Sequence, residues 1–366
     1  MPETAAHSVA IVGAGIGGAH MDGYLALPDR FRVAAICDLD RGRAQALADR
    51  APGTRVETDL QTLLNDPAID IVDVCLPPSL HAEVTLQALA AGKHAICEKP
   101  LAASLEEVDG LIAAAEAAKR LVVPVFQYRY GHGVLQLRHL IEAGLTGCAY
   151  SATLETHWDR DAAYYAVPWR GTWVGELGGA VVSHAIHAHD LLCHVLGPVA
   201  RVGAFLASRV NHIETEDSAA IALEMESGAL ATSSVTLGAA ENMSRLRFCF
   251  ANLTAESGLD PYHPGGAGWR FTARLPSDQA TLDAALATVA PEPERFAGFF
   301  AALDRRLCGA ETDGVTAADG RRSIELATAI YAAARSGRTV ALPLAKDDPY
   351  HRGWRPGPPS PGGKEG

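Results

Sequence analysis

The sequence predicts two domains, a doubly wound α/β domain with a parallel sheet and then a domain built on an antiparallel sheet. The first third of the 366 residues alternates short apolar runs with Ala- and Leu-rich segments, which is typical of parallel strands joined by helices. A glycine-rich turn follows the first apolar run. After about residue 130, strand-like runs follow one another across short turns, as in antiparallel sheets.

The strands of the first domain are predicted at 8–12, 31–37, 69–75, 93–97 and 121–126. Each run is aliphatic or β-branched almost without a break, as expected for strands that are buried on both faces. The segments between them have helical patterns. Ser104 followed by Glu107 predicts a capping box at the start of one helix.

The second part begins with a helix predicted at about 133–143 and a second at about 185–196. Strands are predicted at 199–208, 217–226, 228–238 and 244–253, and late helices at about 293–307 and 316–335. The last residues are rich in Pro and Gly and predict an extended tail. The predicted division is therefore 1–128, 129–345 and a tail of 346–366.

Composition limits the class of protein. Hydrophobic residues make up 48% of the chain and charged residues 20%, so a substantial core can form. The formal net charge of −12 argues against a surface for nucleic acid or an anionic membrane, which needs a basic face. Seven scattered cysteines without a C-x-x-C pattern are typical of reduced thiols, and the N-terminus has no signal-peptide pattern. A cytoplasmic protein is expected.

The turn "VGAGIGGAH" carries the pattern G-x-G-x-x-G at Gly13, Gly15 and Gly18. Such glycines let backbone N–H groups approach a pyrophosphate at a helix N-terminus. Asp38, about twenty residues further on, suits hydrogen bonds to an adenosine ribose, and its alternative role is a helix N-cap. A carboxylate there repels a 2′-phosphate, which favours NAD over NADP, while Arg41 and Arg43 keep the use of NADP possible.

Three longer segments carry a family resemblance. The stretch "CLPPSLHAEVTLQALAAGKHAICEKPLA" (75–102) contains a strand ending in Cys-x-Pro, a histidine, and then A-G-K-H and E-K-P. The stretch "GGAVVSHAIHAHDLL" (178–192) contains a Gly pair and H-x-x-D-L, and a late helix follows at 315–343. Together they resemble the Gfo/Idh/MocA family of nicotinamide-dependent oxidoreductases over nearly the whole chain. The motifs do not specify a substrate.

The resemblance implies a Rossmann domain and then a larger α+β domain. The open sheet of that second domain backs the site on one face and forms subunit contacts on the other, so a homodimer or homotetramer is expected. In the family, the lysine of E-K-P, here Lys99, reaches the nicotinamide and the substrate oxygen. The bond before the proline of this motif is often cis. His187 matches the general acid/base of the family. The alternative interpretation of Lys99 is a surface charge. A cation near a developing alkoxide and an imidazole that exchanges protons both suit hydride transfer.

Four histidines lie close together in the sequence, at 184, 187, 189 and 194. A zinc site needs three or four converging ligands, and helical spacing places His189 on another face, so no metal is expected. Asp190 is expected to orient the His187 ring or to cap locally. Many polyol-oxidising members have Asp where this chain has Ser183, and a hydroxyl holds no charge at neutral pH, which leaves the proton path open.

The predicted sites comprise three sets of residues. The catalytic residues are Lys99, His187 and Asp190. The residues expected to bind NAD are Gly13, Ala14, Gly15, Ile16, Gly17, Gly18, Asp38, Arg43, Leu76, Pro77, His81, Glu98 and Lys99. Those expected at the substrate are Arg129, Tyr130, Tyr165, Trp169, Arg170, Ser183, His184 and His187. Aromatic faces with a few donors suit a hydroxylated ring, although such clusters also serve packing, and Arg170 equally suits a carboxylate or phosphate.

The function predicted from these residues is NAD-dependent oxidation of a secondary hydroxyl of a sugar, sugar derivative or cyclitol. One alternative is an NAD-using glycosidase or lyase, in which transient oxidation of a sugar hydroxyl acidifies the neighbouring C–H. Another is a glycoside 3-dehydrogenase that supplies a separate lyase. A third is a nicotinamide-sensing protein without catalysis, against which the presence of both Lys99 and His187 argues.

Overall fold

The first sheet has six parallel strands. The computed structural model describes residues 6–310 and 312–356, and its first elements are β1 (His7–Val12), α1 (Gly17–Leu25), β2 (Phe31–Cys37), α2 (Arg41–Ala48), β3 (Arg55–Glu57), α3 (Leu60–Leu64), β4 (Ile71–Val74), α4 (His81–Ala90), β5 (His94–Cys97), α5 (Leu105–Ala118) and β6 (Val122–Pro124). The strand order β3-β2-β1-β4-β5-β6 reverses between β1 and β4, and ligands bind at such a reversal. The predicted doubly wound domain is confirmed.

Within the described residues, the second sheet has eight strands. The remaining elements are α6 (His132–Glu142), β7 (Ala149–Asp159), α7 (Ile186–Leu196), β8 (Val199–Ala207), β9 (Ser218–Met225), β10 (Leu230–Thr236), β11 (Gly238–Phe250), β12 (Leu253–Glu256), β13 (Arg270–Ala273), α8 (Gln279–Leu286), α9 (Arg295–Leu307), α10 (Ala317–Ser336) and β14 (Val340–Ala341). The strand order is β13-β12-β11-β7-β10-β9-β8-β14. Only β7 and β10 pair in parallel among the described strands of this sheet, so the predicted mainly antiparallel sheet is confirmed.

Helix α5 begins at the predicted residue, with one difference in its cap. Ser104 Oγ accepts the main-chain N–H of Glu107 at 3.0 Å, as a capping box requires. The Glu107 carboxylate accepts from the N–H of Ala103 at 2.8 Å, one residue before the position that the pattern predicts. The start of α5 is therefore fixed by local sequence. The bond to the Glu107 carboxylate differs from the prediction in its donor, which is Ala103 and not Ser104.

Two late helices join the domains. Helix α9 packs Phe296, Phe299 and Phe300 against the first domain, and the rings of Phe300 and Tyr24 stack with centroids 3.8 Å apart. Helix α10 contacts α5 and β6 on one side and β8 on the other. One helical layer of the first domain is thus completed by residues from far along the chain.

The predicted extended tail is wrong as far as residue 356. Residues Pro349–Arg352 form a 3₁₀ turn, and Trp354 is fully buried. The indole N–H of Trp354 donates to the main-chain oxygen of Leu177 at 2.6 Å, and its ring stacks on Tyr331 at 6.0 Å. The indole supplies enough apolar area to hold this Pro-rich segment against the second domain. Residues 357–366 lie outside the described residues.

The described helices can also be compared with the requirements for crossing a bilayer. Within residues 6–310 and 312–356, none combines the necessary length and apolar character. The predicted cytoplasmic localisation stays a prediction.

Candidate active site

The glycine turn after β1 has an open side suited to a pyrophosphate. Gly13 has φ +105°, and a Cβ there would lie 2.3 Å from the main-chain oxygen of Cys75, so only glycine fits. A Cβ on Gly15 would meet open space, where backbone N–H groups at the start of α1 can receive an anion. Gly17 makes the close helix–strand contact, with its Cβ position 2.8 Å from Ile11. The other residues predicted here are Ala14 and Ile16, which lie in the same turn, and Gly18, which lies in the first turn of α1.

Asp38 follows β2 and faces this turn. Its Oδ2 accepts from the N–H of Ala14 at 2.8 Å, and its Oδ1 accepts from Asp40 N–H at 2.8 Å and from Arg43 at 2.9 Å. Burial opposes ionisation, but these donors hold the pKa of Asp38 below its usual value. Asp40 caps α2, so the alternative role of Asp38 as a helix cap is wrong. The carboxylate lies beside the expected ribose position with Arg43 next to it.

The predicted contact of His81 with the cofactor is wrong, because its ring binds the protein. Nδ1 lies 2.7 Å from the main-chain oxygen of Pro100, and Nε2 lies 2.8 Å from that of Leu76. The residue is 1% exposed. His81 therefore ties the loop after β4 to the loop after β5. Leu76 and Pro77 are half-buried at the end of β4.

Glu98 belongs to a buried charge network beneath Lys99. Its Oε2 accepts the main-chain N–H of Lys99 at 3.1 Å, and its Oε1 lies 3.1 Å from His20 Nε2. His20 Nδ1 in turn lies 2.8 Å from Asp73. Burial raises the pKa of Glu98, but His20 and Lys99 outweigh burial and lower it to about 2. The negative charge of Glu98 favours the charged form of Lys99, and both of its carboxylate oxygens already have partners within the protein.

Lys99 reaches from the first domain to the second. Its Nζ donates to the main-chain oxygen of Ser183 at 2.9 Å, and the bond from Lys99 to Pro100 is cis. Burial lowers the pKa of the ammonium below its usual value, against the opposing effect of Glu98 and Glu176. The alternative of an ordinary surface lysine is wrong, and an ammonium with three donors has two left for a bound oxygen.

His187 lies one turn beyond Ser183, where a π-helix (Val181–Ala185) passes into α7. Single π-helical turns are frequent at functional sites. The ring is stacked on Tyr128 with centroids 4.4 Å apart, and the residue is 4% exposed. Burial and the charge of Lys99 lower the pKa of His187 to about 3. The imidazole is therefore neutral at pH 7 and able to accept a proton.

Asp190 does not orient the His187 ring as predicted. Its carboxylate accepts a bidentate pair from Arg129, with Nε–Oδ2 at 2.7 Å and Nη2–Oδ1 at 2.5 Å. Arg129 also lies 3.1 Å from Asp319, and the guanidinium is buried. Burial favours pairing these charges with one another. The predicted catalytic role of Asp190 and the predicted substrate contact of Arg129 are both wrong.

Tyr130 also points away from the site. Its hydroxyl accepts the main-chain N–H of Val315 at 3.2 Å, and its ring meets Phe299 of α9 edge-on at 5.9 Å. The predicted substrate contact of Tyr130 is therefore wrong. Its neighbour Tyr128, which stacks on His187, faces the site instead.

The other clustered histidines have separate partners. The distances are 3.3 Å from His184 Nε2 to the Tyr164 hydroxyl, 2.9 Å from His189 Nε2 to Ser233 Oγ, and 3.1 Å from His194 Nε2 to Arg138. These partners lie on a loop, on β10 and on α6, so the rings do not converge as a metal site requires.

Glu176 is a site residue that the sequence analysis did not identify. Its Oε1 accepts from Ser183 Oγ at 2.7 Å, and its Oε2 accepts from the N–H of Gly171 at 2.5 Å. The residue is 2% exposed. A carboxylate thus stands behind Ser183, whose hydroxyl can still accept a hydrogen bond from a bound hydroxyl. The signal in the sequence was a lone acid inside the Gly-rich apolar run "VGELGGAVV".

The loop between β7 and the π-helix forms an aromatic and cationic wall. The Arg170 guanidinium lies over the ring of Tyr164, with Cζ 3.8 Å from the centroid. Tyr165 meets Tyr164 edge-on at 5.0 Å, and Trp169 packs on Gly175, where a Cβ would lie 2.6 Å from it. Tyr164 contacts His184, with ring centroids 5.8 Å apart, and Arg170 lies against Tyr164, while Tyr165 and Trp169 support the loop.

Comparison with known proteins agrees with this architecture. A model described as "Oxidoreductase family, NAD-binding Rossmann fold" matches residues 7–126, and one described as "GFO/IDH/MocA C-terminal domain" matches residues 134–255. Curated relatives include the uncharacterized oxidoreductase YrbE of Bacillus subtilis, 30% identical over 60% of this chain and 64% of that protein. Another is the D-glucoside 3-dehydrogenase of Escherichia coli, 33% identical over 52% of this chain and 54% of that protein. The chain thus spans less than two thirds of the length of these relatives.

Solved structures are similar over nearly the whole chain. The WlbA dehydrogenase of Bordetella pertussis, in complex with NADH and UDP-GlcNAcA, has TM-score 0.82 at 26% identity and covers 94% of this chain and 100% of that one. A levoglucosan dehydrogenase with NADH has TM-score 0.76 at 22% identity, covering 93% and 100%, which shows the shared fold. The two models of one family match successive segments that together cover most of residues 7–255, and the chain therefore belongs to the Gfo/Idh/MocA family of oxidoreductases, with an NAD-binding Rossmann domain at its N-terminal end.

Proposed function

We propose that the protein is an NAD-dependent dehydrogenase that oxidises a secondary hydroxyl of a sugar, sugar derivative or cyclitol. The observation that carries the proposal is the Lys99–Ser183 hydrogen bond. It brings an ammonium from the nucleotide-binding domain to the helical segment that carries the neutral imidazole of His187. A cation and a proton acceptor at one place are what the oxidation of an alcohol requires.

The residues present fit a dinucleotide. The open face of Gly15 suits its pyrophosphate, and Asp38 with Arg43 suits its adenosine ribose. When bound, NAD supplies a ring that accepts a hydride from the substrate carbon. The favoured cofactor is NAD, because the Asp38 carboxylate is charged. Arg43 could bind the 2′-phosphate of NADP, but it is already paired with Asp38.

The protein residues have separate roles in this reaction. His187 takes the proton of the hydroxyl that is oxidised, while the C–H bond of the same carbon gives up its hydride. Lys99 directs its free N–H groups at the oxygen, where negative charge develops before the carbonyl forms. Ser183, held by Glu176, accepts a hydrogen bond from a neighbouring hydroxyl. The reverse reduction uses the same groups, with His187 returning the proton.

A second candidate is a glycoside 3-dehydrogenase, or a glycosidase or lyase that acts through a 3-keto sugar. The similarity to the E. coli protein named D-glucoside 3-dehydrogenase favours this candidate. Its chemistry begins with the same oxidation and therefore needs the same Lys99 and His187. The two candidates differ in whether NADH is released and in whether the glycosidic bond breaks.

We further propose a homodimer or homotetramer through the outer face of the second sheet. That face carries small and polar side chains of β9 and β10, and Phe205 on β8 is 81% exposed. A second subunit that covers this open face would remove the Phe205 ring from water. Light scattering of the wild type and of Phe205→Asp tests this, and identical molar masses would contradict it.

The activity is tested by an NAD-reduction screen over monosaccharides, anhydrosugars, inositols and glycosides, run with NAD and with NADP. Appearance of NADH that depends on His187 is expected for a dehydrogenase, so His187→Asn serves as the control. Release of aglycone without net NADH indicates the lyase. If several of these compounds bind the protein and none of them gives NADH or a cleaved product when NAD is supplied, the enzyme assignment is wrong.

A further inference from the structure

Two arginines, Arg160 and Arg170, stand at the site wall without an acidic partner. Both guanidinium groups lie against the same ring, that of Tyr164, with Cζ 4.9 Å and 3.8 Å from its centroid. Both are half-buried, and both Nε atoms are buried without a hydrogen-bond partner among the described residues. Neither forms an ion pair in the part of the chain that the structure describes. Buried guanidinium donors are costly unless something binds them.

The acids nearby are already engaged. Glu176 uses one oxygen for Ser183 and the other for the Gly171 N–H. Asp161 accepts the main-chain N–H groups of two following residues through one oxygen and is exposed. Glu98 is bound to His20 on the other side of Lys99. The positive charges of Arg160 and Arg170 are therefore not balanced by a carboxylate in contact with them.

The remaining contacts of the two arginines are neutral. Arg160 donates through Nη1 to the main-chain oxygen of Asp159 at 2.6 Å and to Asn242 Oδ1 at 3.3 Å, and through Nη2 to the Tyr262 hydroxyl at 3.3 Å. Its Cζ also lies 4.8 Å from the centroid of the Trp158 ring.

Arg170 contacts the rings of Tyr164 and Trp169. Aromatic faces hold the Arg170 guanidinium flat and leave its edge free for two parallel hydrogen bonds. That geometry matches the two oxygens of a carboxylate or phosphate. Arg160 already uses N–H groups of both Nη atoms and keeps Nε–H for a further acceptor.

Arg160 and Arg170 lie on the side of the site where the substrate is expected, and not beside the phosphates of the dinucleotide. The Tyr164 hydroxyl lies 3.3 Å from His184, and His184 stands one turn before His187. The open glycine turn for the pyrophosphate is on the other domain, after β1. Burial and the charges of Arg160, Lys99 and Arg170 keep the pKa of His184 well below its usual value, so this ring is neutral and adds no charge.

We propose that the substrate is an acidic sugar, whose carboxylate or phosphate oxygens are bound by Arg160 and Arg170 while a hydroxyl of the same molecule is placed between Lys99 and His187. This inference rests on the proposed dehydrogenase function and narrows its substrate class. It assigns Arg170 to an anion and not to a neutral ring hydroxyl.

The test compares matched ligands on the NADH-loaded protein: D-glucose, D-glucuronate and glucose 6-phosphate. Titration calorimetry gives each Kd, and the same compounds with NAD give kcat/KM. At least one anionic ligand is expected to bind about 10- to 100-fold more tightly than glucose, as for hydrogen bonds between charged groups. Whether glucuronate or the phosphate shows the gain tells which oxyanion is bound.

Three variants separate recognition from folding. Arg170→Gln and Arg160→Gln are expected to remove most of the preference for the anion, and Arg170→Lys is expected to retain part of it, since charge remains without the planar fork. Arg338→Gln, exposed in the turn after α10, is the matched control and should keep the preference. NADH binding and thermal unfolding show that each variant is folded.

Two results would overturn the inference: equal affinity of the wild type for glucose and both anions, or an anion preference that survives both glutamine variants. Failure of the proposed function is a different result. In that case the anions still bind in an Arg170-dependent way, but no ligand that binds gives NADH or a cleaved product.

Discussion

The ammonium of Lys99 is hydrogen-bonded to the main-chain oxygen of Ser183 at 2.9 Å, across the boundary between the two domains. The oxygen that accepts this bond lies in the same helical segment as His187. Burial and the charge of Lys99 lower the pKa of His187. The two groups therefore act on one another directly. The charge of Lys99 favours the neutral form of the imidazole, while Glu98 and Glu176 favour the charged form of the ammonium against the effect of burial.

Replacing either group should abolish turnover without removing the cofactor. His187→Asn is expected to lower kcat about 10²- to 10⁴-fold, because no proton acceptor remains. Lys99→Met is expected to lower it about 10²- to 10³-fold through the loss of oxyanion stabilisation. Fluorescence titration with NADH should give unchanged affinity for His187→Asn. Near wild-type turnover of either variant would contradict the assigned roles.

The kcat/KM for oxidation should not fall near pH 6.5, where an ordinary histidine is protonated. A protonated His187 accepts no proton, so activity falls as pH drops through its pKa, and burial and Lys99 place that pKa at about 3. We expect kcat/KM to stay nearly constant from neutral pH down to about pH 5, whereas an ordinary histidine would titrate near 6.5. Circular dichroism at each pH excludes acid unfolding. A midpoint near 6.5 in a folded protein would show that the ring is solvated.

Cofactor preference should depend on the charge of Asp38. Asp38→Asn keeps a side-chain oxygen for the N–H of Ala14 but weakens the hold on Arg43, which can then face a 2′-phosphate. We expect the ratio of NADPH to NADH affinity to rise about 10-fold, the worth of one charge-assisted hydrogen bond. Asp278→Asn, in the cap of α8, is the control, since Asp278 has no contact with Arg43. Equal losses for both cofactors would show that Asp38 only supports the glycine turn.

Asp190 should affect stability and not chemistry. Asp190→Asn leaves the buried Arg129 with Asp319 as its remaining acidic partner, so the free energy of unfolding should fall by about 3 kcal/mol. The folded fraction should keep its kcat, measured below the midpoint of thermal unfolding. A large loss of kcat with unchanged stability would restore the catalytic role that this structure removes.

Glu176 and Ser183 should act as one unit. Glu176→Gln and Ser183→Ala are each expected to lower kcat about 10-fold, since the hydroxyl loses its orientation in the first and is absent in the second. Because they share one hydrogen bond, the double variant should lose no more than the worse single variant. Fully additive losses would mean that Glu176 works independently of Ser183.

The sequence by itself determined the features that depend on neighbouring residues. The apolar runs with glycine at Gly13 and Gly15 specified the first strand and its turn, Ser104 specified the start of α5, and the motifs around Lys99 and His187 identified the family. These features follow from backbone preferences and from burial periodicity, which are local. They were readable without knowledge of the partner segments.

The tertiary structure decided which charges meet. Arg129 and Asp190 lie far apart in the sequence. Arg129 was predicted at the substrate and Asp190 among the catalytic residues, yet burial pairs them with each other. Glu176 stands behind Ser183, and Trp354 fixes a segment with the composition of a loose tail. A buried charge pairs with an opposite charge that lies within reach, and a buried ring packs where apolar side chains leave room for it. Those neighbours come from packing over long separations, which no local pattern in the chain encodes.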